Sequence, residues 1–192
     1  MPTAAKGEFD PEQPVIEAIR TGDRYAFEEL VRRHGRWVRS IVFGVLGRRD
    51  GIDDVAQQVW TTVWQRIGEL RDATRWKPWL YRLARNAALD AGREITRRRK
   101  QVVFPSRGLD EADSAGTTVE RLPGAASERS EAVMQAIQAL PALYREPFVL
   151  RHVNGWGYQQ IAEAMEMPVD SVETRLVRAR RMLREALKDL SQ

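Results

Sequence analysis

The sequence predicts an all-α protein in which two small helical domains are joined by a flexible linker, the second domain containing a helix-turn-helix. Apolar residues recur at spacings of three and four along most of the chain. No alternating run is flanked by turn dipeptides, so no sheet is expected. Over residues 101–130 the periodicity gives way to Pro, Gly and Ser, with too few large apolar residues for a core. The domains are therefore placed at residues 12–100 and 131–192.

Four helices are predicted in the first domain. Gly47 should end the second of them, because glycine commonly follows the last turn of a helix. Asp53 and Asp54 should open the third, because acidic side chains favour the amino-terminal end of a helix dipole. The predicted spans are 15–20, 25–46, 53–67 and one that begins near Pro78 and ends in a basic tail at 97–100.

The second domain should hold helices over residues 131–140 and 141–153, followed by a Gly-Trp-Gly break and the helix-turn-helix. The helix-turn-helix spans YQQIAEAMEMPVDSVETRLVRARRMLREAL, with a turn closed by Pro168. Ile161 and Ala162 should pack inward, as should Leu176, because small and apolar residues let the two helices approach closely. The polar opening of the second helix should then face outward, a pattern typical of base contacts followed by phosphate contacts.

The net charge of +4 is unevenly distributed. Residues 71–100 hold ten basic against three acidic side chains, whereas residues 101–130 carry a net charge of −2. Such a basic block beside an acidic spacer indicates two surfaces with different partners. No stretch reaches the roughly 18 apolar residues of a membrane span and the amino terminus lacks a signal-peptide core, so we expect a cytoplasmic protein without membrane insertion.

The chemistry-bearing residues give no sign of an enzyme. The chain has no cysteine, which excludes disulfides, thiolate metal sites and a cysteine nucleophile. His34 and His152 have no histidine or carboxylate neighbour at metal-ligand spacing. We therefore expect no catalytic residues, no metal and no cofactor.

Three motifs in collinear order resemble the extracytoplasmic-function sigma factors of bacterial RNA polymerase. They are the core-docking helix DDVAQQVWTTVW, the promoter-melting helix WLYRLARNAALDAGRE and the second-domain run from LPALYREP to RARRML. The resemblance implies a sigma factor that binds core RNA polymerase and directs promoter-specific initiation. It also implies three partners: the clamp and flap regions of core polymerase, promoter DNA and an anti-sigma factor. How the two domains are arranged in the free protein stays open.

The resemblance implies that the fourth helix reads and melts the minus-10 element. Stacking on exposed bases needs aromatic or planar faces, and phosphates need cations. Trp76, ahead of Pro78, is expected to be free to meet a base, whereas Trp79 is expected in the core beside Leu80. The predicted minus-10 residues are Trp76, Tyr81, Arg82, Arg85, Asn86, Asp90 and Arg93, the last three falling on one helical face. On that face Asp90 could orient Arg93, or form only an ordinary intrahelical ion pair with it.

The resemblance assigns minus-35 recognition to the helix-turn-helix, through Tyr158, Ser171, Thr174, Arg175, Val177 and Arg178. Two residues depart from the family pattern. Glu173 stands where lysine or arginine is frequent; it could accept from a cytosine amine, but we favour a capping box in which Asp170 caps the helix. Glu166 stands where glycine is usual, and a left-handed turn there would cost roughly 1 kcal/mol.

Core polymerase should dock on the polar stripe of the third helix, through Asp54, Gln57, Gln58 and Thr61. The family usually has a glutamate at the place of Gln58, so docking would depend more on Asp54 and Gln57. Two other functions are weighed. A helix-turn-helix regulator with an amino-terminal sensor or dimerisation domain would not explain the basic block at 71–100. An all-helical hydrolase would need a metal or nucleophile cluster.

Overall fold

A computed structural model describes residues 10–102 and 125–188, and every regular element within these two ranges is helical. This confirms the all-α prediction. Two short 3₁₀ turns, Ile67–Glu69 and Ala73–Arg75, connect the third helix to the fourth. The α-helices are α1 (Gln13–Arg20), α2 (Arg24–Leu46), α3 (Ile52–Arg66), α4 (Trp76–Val102), α5 (Ala125–Ala139), α6 (Ala142–His152), α7 (Tyr158–Met165) and α8 (Val169–Ala186).

The first unit, α1 to α4, is built around α2, which packs against the other three helices. Asp23 caps α2 by accepting hydrogen bonds from the backbone N–H groups of Tyr25 (2.9 Å) and Ala26 (3.1 Å). Gly47 ends it in the left-handed conformation, with φ at 67°, and donates to the Phe43 carbonyl at 2.8 Å. The predicted end of this helix is therefore confirmed.

Helix α4 begins two residues earlier than Pro78, at Trp76. The preceding 3₁₀ turn, capped by the Asp72 side chain, continues directly into α4 and leaves no loop. Pro78 lies in the first turn, where its missing N–H has no intrahelical partner to lose. The expectation that Trp76 stands in an open loop is wrong, because helical backbone directs its indole into the first unit.

The second unit, α5 to α8, contains the predicted helix-turn-helix, formed by α7 and α8. Ile161, Ala162 and Leu176 are buried as expected, with exposed fractions of 0%, 7% and 1%. Helix α5 begins at Ala125, so residues 125–130, which were assigned to the linker, are helical. Residues 101 and 102, also assigned to the linker, are the last residues of α4, and residues 103–124 lie outside the described residues.

The capping box proposed for α8 is wrong. The helix begins at Val169, so its amino-terminal cap is Pro168, and no side chain caps it. Asp170 therefore lies inside the first turn, where its charge still meets the positive end of the helix dipole. Glu173 makes no reciprocal bond to a capping residue and is exposed to solvent.

Glu166, in the turn between α7 and α8, has a left-handed backbone with φ at 54°. We expect Glu166→Gly to raise the free energy of unfolding by about 1 kcal/mol, because glycine adopts this conformation without a Cβ clash. Urea unfolding would measure the gain. Glu163→Gly, a control inside α7, should lower the free energy of unfolding by about 1 kcal/mol. An unchanged midpoint for Glu166→Gly would show that the turn carries no strain.

The two units pack directly on each other. Helix α6 lies along α2, and α7 lies on α4. One buried apolar cluster runs through both units and includes Trp156 and Ile161 of the second unit together with Leu80 and Val42 of the first. The free protein therefore has a defined domain arrangement, which the sequence left open.

Candidate nucleic-acid interface

Helix α4 carries the predicted minus-10 residues on two of its sides. Its inner side is buried, and Asn86, Asp90 and Arg93 form an exposed strip on the outer side, as their spacing predicted. Arg93 Nη1 donates to Asp90 Oδ1 at 2.9 Å, and both side chains are largely exposed. This pair is intrahelical, so it orients the arginine while leaving its remaining donors open to a partner.

Of the two tryptophans at the start of α4, Trp76 is buried contrary to expectation, whereas Trp79 packs against the core as expected. Trp76 is 1% exposed, whereas Trp79 is only partly buried. The Trp76 ring packs edge-on against His34 (4.7 Å between ring centroids) and Trp37 (5.8 Å), and its Nε1 donates to Asp10 at 2.9 Å. All of these partners belong to the first unit, so Trp76 is a core residue whatever the second unit does.

Tyr81 is also 1% exposed, but residues of the second unit cover it. Its ring lies 5.9 Å from that of Trp156, and its hydroxyl donates to Glu146 Oε2 at 3.2 Å. Burial and the nearby Glu146 carboxylate raise the pKa of Tyr81, so the phenol stays protonated and remains a donor. Tyr81 therefore lies on the side of α4 that faces the second unit, and its hydroxyl is already paired with Glu146.

Arginines beside Tyr81 are paired with glutamates of the second unit. Arg85 Nε donates to Glu146 Oε2 at 2.8 Å, and Arg82 Nη1 lies 3.8 Å from Glu166 Oε1. The Arg85 pair is well shielded, since the Glu146 side chain is 8% exposed, whereas the Arg82 pair is open to solvent. Sequence spacing could not reveal either pair, because the partners are far apart along the chain.

The recognition helix α8 is free along its outer face. Thr174, Val177 and Arg178 are exposed, with Val177 at 52%, whereas Ser171 and Arg175 are half-buried. Tyr158, at the start of α7, is half-buried, and the Arg151 guanidinium lies over its ring at 5.2 Å from the centroid. The predicted minus-35 residues of α8 thus lie in its first three turns, and Tyr158 lies at the start of α7.

The predicted polymerase-docking residues line one side of α3. All four, Asp54, Gln57, Gln58 and Thr61, are exposed. Beside them is an apolar groove of about 740 Å³ that sequence reasoning missed. Phe27 and Trp64 form its aromatic part, with ring centroids 5.0 Å apart, and Gln57 and Thr61 contribute to its rim. The sequence signal for this groove was Trp64, a large aromatic residue on an otherwise polar helix face. In the structure its side chain is 37% exposed.

Comparison with known proteins identifies both units. Sigma-70 region 2 matches residues 30–100, and sigma-70 region 4 matches residues 130–183. The RNA polymerase sigma-H factor of Pseudomonas aeruginosa is 30% identical over 188 residues, which cover 94% of this chain and 96% of that protein. The chain belongs to the extracytoplasmic-function sigma factors of the sigma-70 family.

Two further relatives of this sigma factor carry the abbreviation ECF, for extracytoplasmic function, in their names. The ECF RNA polymerase sigma-E factor of Haemophilus influenzae is 29% identical, with 93% of this chain and 96% of that protein covered. The ECF sigma factor SigW of Bacillus subtilis is also 29% identical, with 91% and 96% covered. The sigma factor is therefore a transcription initiation factor that directs promoter-specific initiation.

Solved structures share the fold of this sigma factor. CnrH, in complex with the cytosolic domain of CnrY, superposes with a TM-score of 0.67 at 23% identity and covers 95% of this chain and 100% of that chain. The sigma factor RpoE of Bartonella quintana, in complex with the anti-sigma factor NepR, gives a TM-score of 0.63 at 20% identity, covering 84% and 96%. Both likenesses concern the fold alone.

The described residues add neither a metal-binding cluster nor a membrane-spanning helix to this interface. Across residues 10–102 and 125–188 there is no group of three His, Cys, Asp or Glu side chains placed to hold a metal ion. None of the helices described is both long enough and apolar enough to cross a membrane.

Proposed function

We propose that this sigma factor docks on the core polymerase clamp with α3, reads minus-35 duplex with α8 and helps melt minus-10 DNA with α4. One observation carries the proposal. The basic outer side of α4 and the free face of α8 lie in the two segments that match sigma-70 regions 2 and 4. We propose that the two functional domains are residues 12–100, which carry core docking and minus-10 recognition, and residues 131–192, which carry minus-35 recognition.

The minus-35 role rests on the shape and chemistry of α8. A recognition helix enters the major groove with its amino-terminal residues toward the bases. Thr174, Val177 and Arg178 are exposed there, so a hydroxyl, a methyl-bearing side chain and a guanidinium can meet base edges together. Ser171 and Arg175 flank them and reach the phosphates or outer bases. Tyr158, at the start of α7, meets the backbone beside the groove.

The minus-10 role is assigned to Tyr81, Arg82, Arg85, Asn86 and Arg93, with Asp90 as the residue that orients Arg93. These residues supply one aromatic face, three cations and an amide along α4, the combination that unpaired bases and phosphates need. Trp76 is not part of this proposal, because its own unit buries it. The sigma factor contributes binding energy to melting, and catalysis belongs to polymerase.

The remaining partners follow from the family. Core polymerase would contact the groove and polar stripe of α3 through its clamp and the second unit through its flap. The two solved relatives are each in complex with another protein, CnrH with the cytosolic domain of CnrY and RpoE with the anti-sigma factor NepR. We propose such a partner here as well. The sigma factor would act where RNA polymerase acts, in the cytoplasm.

Asp54→Arg should weaken binding to core polymerase by about tenfold, because an exposed carboxylate at the rim of the docking face becomes a cation. Fluorescence titration with core polymerase measures the affinity. Asp50→Arg is the matched control, since Asp50 is exposed but lies ahead of α3. Unchanged affinity for Asp54→Arg would refute docking on this face, and loss of helicity would point to misfolding instead.

Arg178→Ala should reduce transcription from a minus-35-dependent promoter by about tenfold, since a bidentate arginine contact to a base contributes about 1–3 kcal/mol of discrimination. Among the described residues, Arg178 hydrogen-bonds to the Tyr144 hydroxyl, at 3.3 Å, and its side chain is exposed, so its removal should leave the fold intact. Arg184→Ala, at the far end of α8, is the control. Equal loss from both variants would indicate a diffuse charge effect in place of base reading.

A further inference from the structure

Three arginines of the first unit each face a glutamate of the second unit. The pairs, by closest nitrogen to oxygen distance, are Arg75 with Glu163 (3.3 Å), Arg82 with Glu166 (3.8 Å) and Arg85 with Glu146 (2.8 Å). Two of the three arginines are in the proposed minus-10 set. The second unit thus presents carboxylates to the same cations that single-stranded DNA would meet with phosphates.

Glu146 is the most enclosed of the three carboxylates. One oxygen, Oε2, accepts from both Arg85 Nε (2.8 Å) and the Tyr81 hydroxyl (3.2 Å). A phosphate oxygen would accept from the same two donors, so Glu146 and a DNA phosphate compete for one place. The other two pairs are exposed and contribute little by themselves.

Neighbouring contacts hold Glu146 in that place. Arg145, next to it on α6, donates from Nε to the Gly44 carbonyl and from Nη2 to the Val45 carbonyl, both at 2.9 Å. These carbonyls lie in the last turn of α2, which attracts cations. Trp156 inserts between Trp37 and Tyr81, with ring centroids 5.7 and 5.9 Å away. The carboxylate is therefore positioned by packing on both sides.

We infer that the second unit is an autoinhibitory cover in which Glu146 occupies the phosphate site formed by Tyr81 and Arg85. The inference rests on the proposed minus-10 role of α4. Helix α8 keeps its exposed face in this arrangement, so the free protein offers its minus-35 surface while the Tyr81–Arg85 part of its minus-10 surface is closed. Polymerase opens the cover when it binds the two units at separate places.

A disulfide can lock the cover. The chain has no cysteine, so introduced thiols pair only with each other. A Cβ built on Gly44 would lie 3.6 Å from the Val149 Cβ, within the range of about 3.5–4.5 Å found in disulfides. Gly44→Cys combined with Val149→Cys therefore joins α2 to α6 without moving either helix.

With core polymerase present, the oxidised double variant should open promoter DNA at least about tenfold less than the same protein after reduction, which restores free separation of the units. Each single variant, oxidised in parallel, should match its reduced form. Equal promoter opening by the oxidised and reduced double variant would overturn the inference alone. No promoter opening by wild type or the reduced variant would overturn the proposed function, and the inference with it.

The second test asks whether Glu146 acts in the unlocked chain. Glu146→Gln keeps the shape and removes the charge, so the free variant should bind single-stranded minus-10 DNA about three- to tenfold more tightly than wild type. Glu163→Gln, which removes an exposed interunit charge, should bind as wild type does. Equal affinities for Glu146→Gln and wild type, or equal gains in both variants, would overturn the competition between Glu146 and phosphate.

Discussion

Trp76→Ala lowers the free energy of unfolding by about 3–5 kcal/mol, the loss expected when a fully buried tryptophan is truncated. The indole is 1% exposed and packs against His34 and Trp37. The variant also removes the hydrogen bond that Trp76 Nε1 donates to Asp10. Asp10 is then left with its remaining partners. The cavity left by the indole and the lost hydrogen bond both contribute to this loss.

Urea unfolding followed by circular dichroism measures the Trp76 effect. Tyr25→Ala is the control, because Tyr25 is 85% exposed and its loss should change the free energy of unfolding by less than about 0.5 kcal/mol. A variant with wild-type stability that fails only in promoter melting would contradict the structure. It would restore the sequence-based expectation that Trp76 meets a flipped base.

Arg145→Ala lowers the free energy of unfolding by about 3–5 kcal/mol and separates the two units. The guanidinium is buried, and it donates to four carbonyls, two of its own unit (Gln138 and Leu140) and two of α2 (Gly44 and Val45). Alanine leaves these oxygens without their donor in a place water reaches poorly. The interface between the two units thereby loses a side chain that donates four hydrogen bonds.

Gly47 makes the fit of Arg145 specific. A Cβ at this position would overlap the guanidinium, and the left-handed backbone also favours glycine. Small-angle scattering should show a larger radius for Arg145→Ala, and urea unfolding should show the lower stability. Arg181→Ala, which removes an exposed arginine of α8, should leave both unchanged. Wild-type values for Arg145→Ala would show that the units are held together by other contacts.

Sequence patterns predicted the helices because the signals are local. Apolar spacing set the inner face of α3, and Gly47 marked the end of α2 through a bond to a residue four positions earlier. Only fine boundaries differed. Trp76 joined α4 because the 3₁₀ turn before it leaves no loop, and Asp170 fell inside α8 because that helix begins two residues earlier than a cap at Asp170 would require.

The closed arrangement could not be predicted in the same way. Glu146 and Arg85 are 61 residues apart, and neither has a spacing or neighbour that marks it as half of a pair. The arginines were recognised as DNA-binding groups because their charge suits phosphate, and the same charge suits a carboxylate of the second unit. The charge of the arginines predicted a phosphate-binding site, whereas only the tertiary structure shows that Glu146 lies against Arg85.

Run-off transcription with purified core polymerase tests the central claim most directly. Promoter fragments from a genomic library are transcribed by core alone and by core supplemented with this sigma factor. The account predicts discrete transcripts that require the sigma factor and begin downstream of shared minus-35 and minus-10 elements. No association with core polymerase, or the same transcripts with and without the sigma factor, would contradict it.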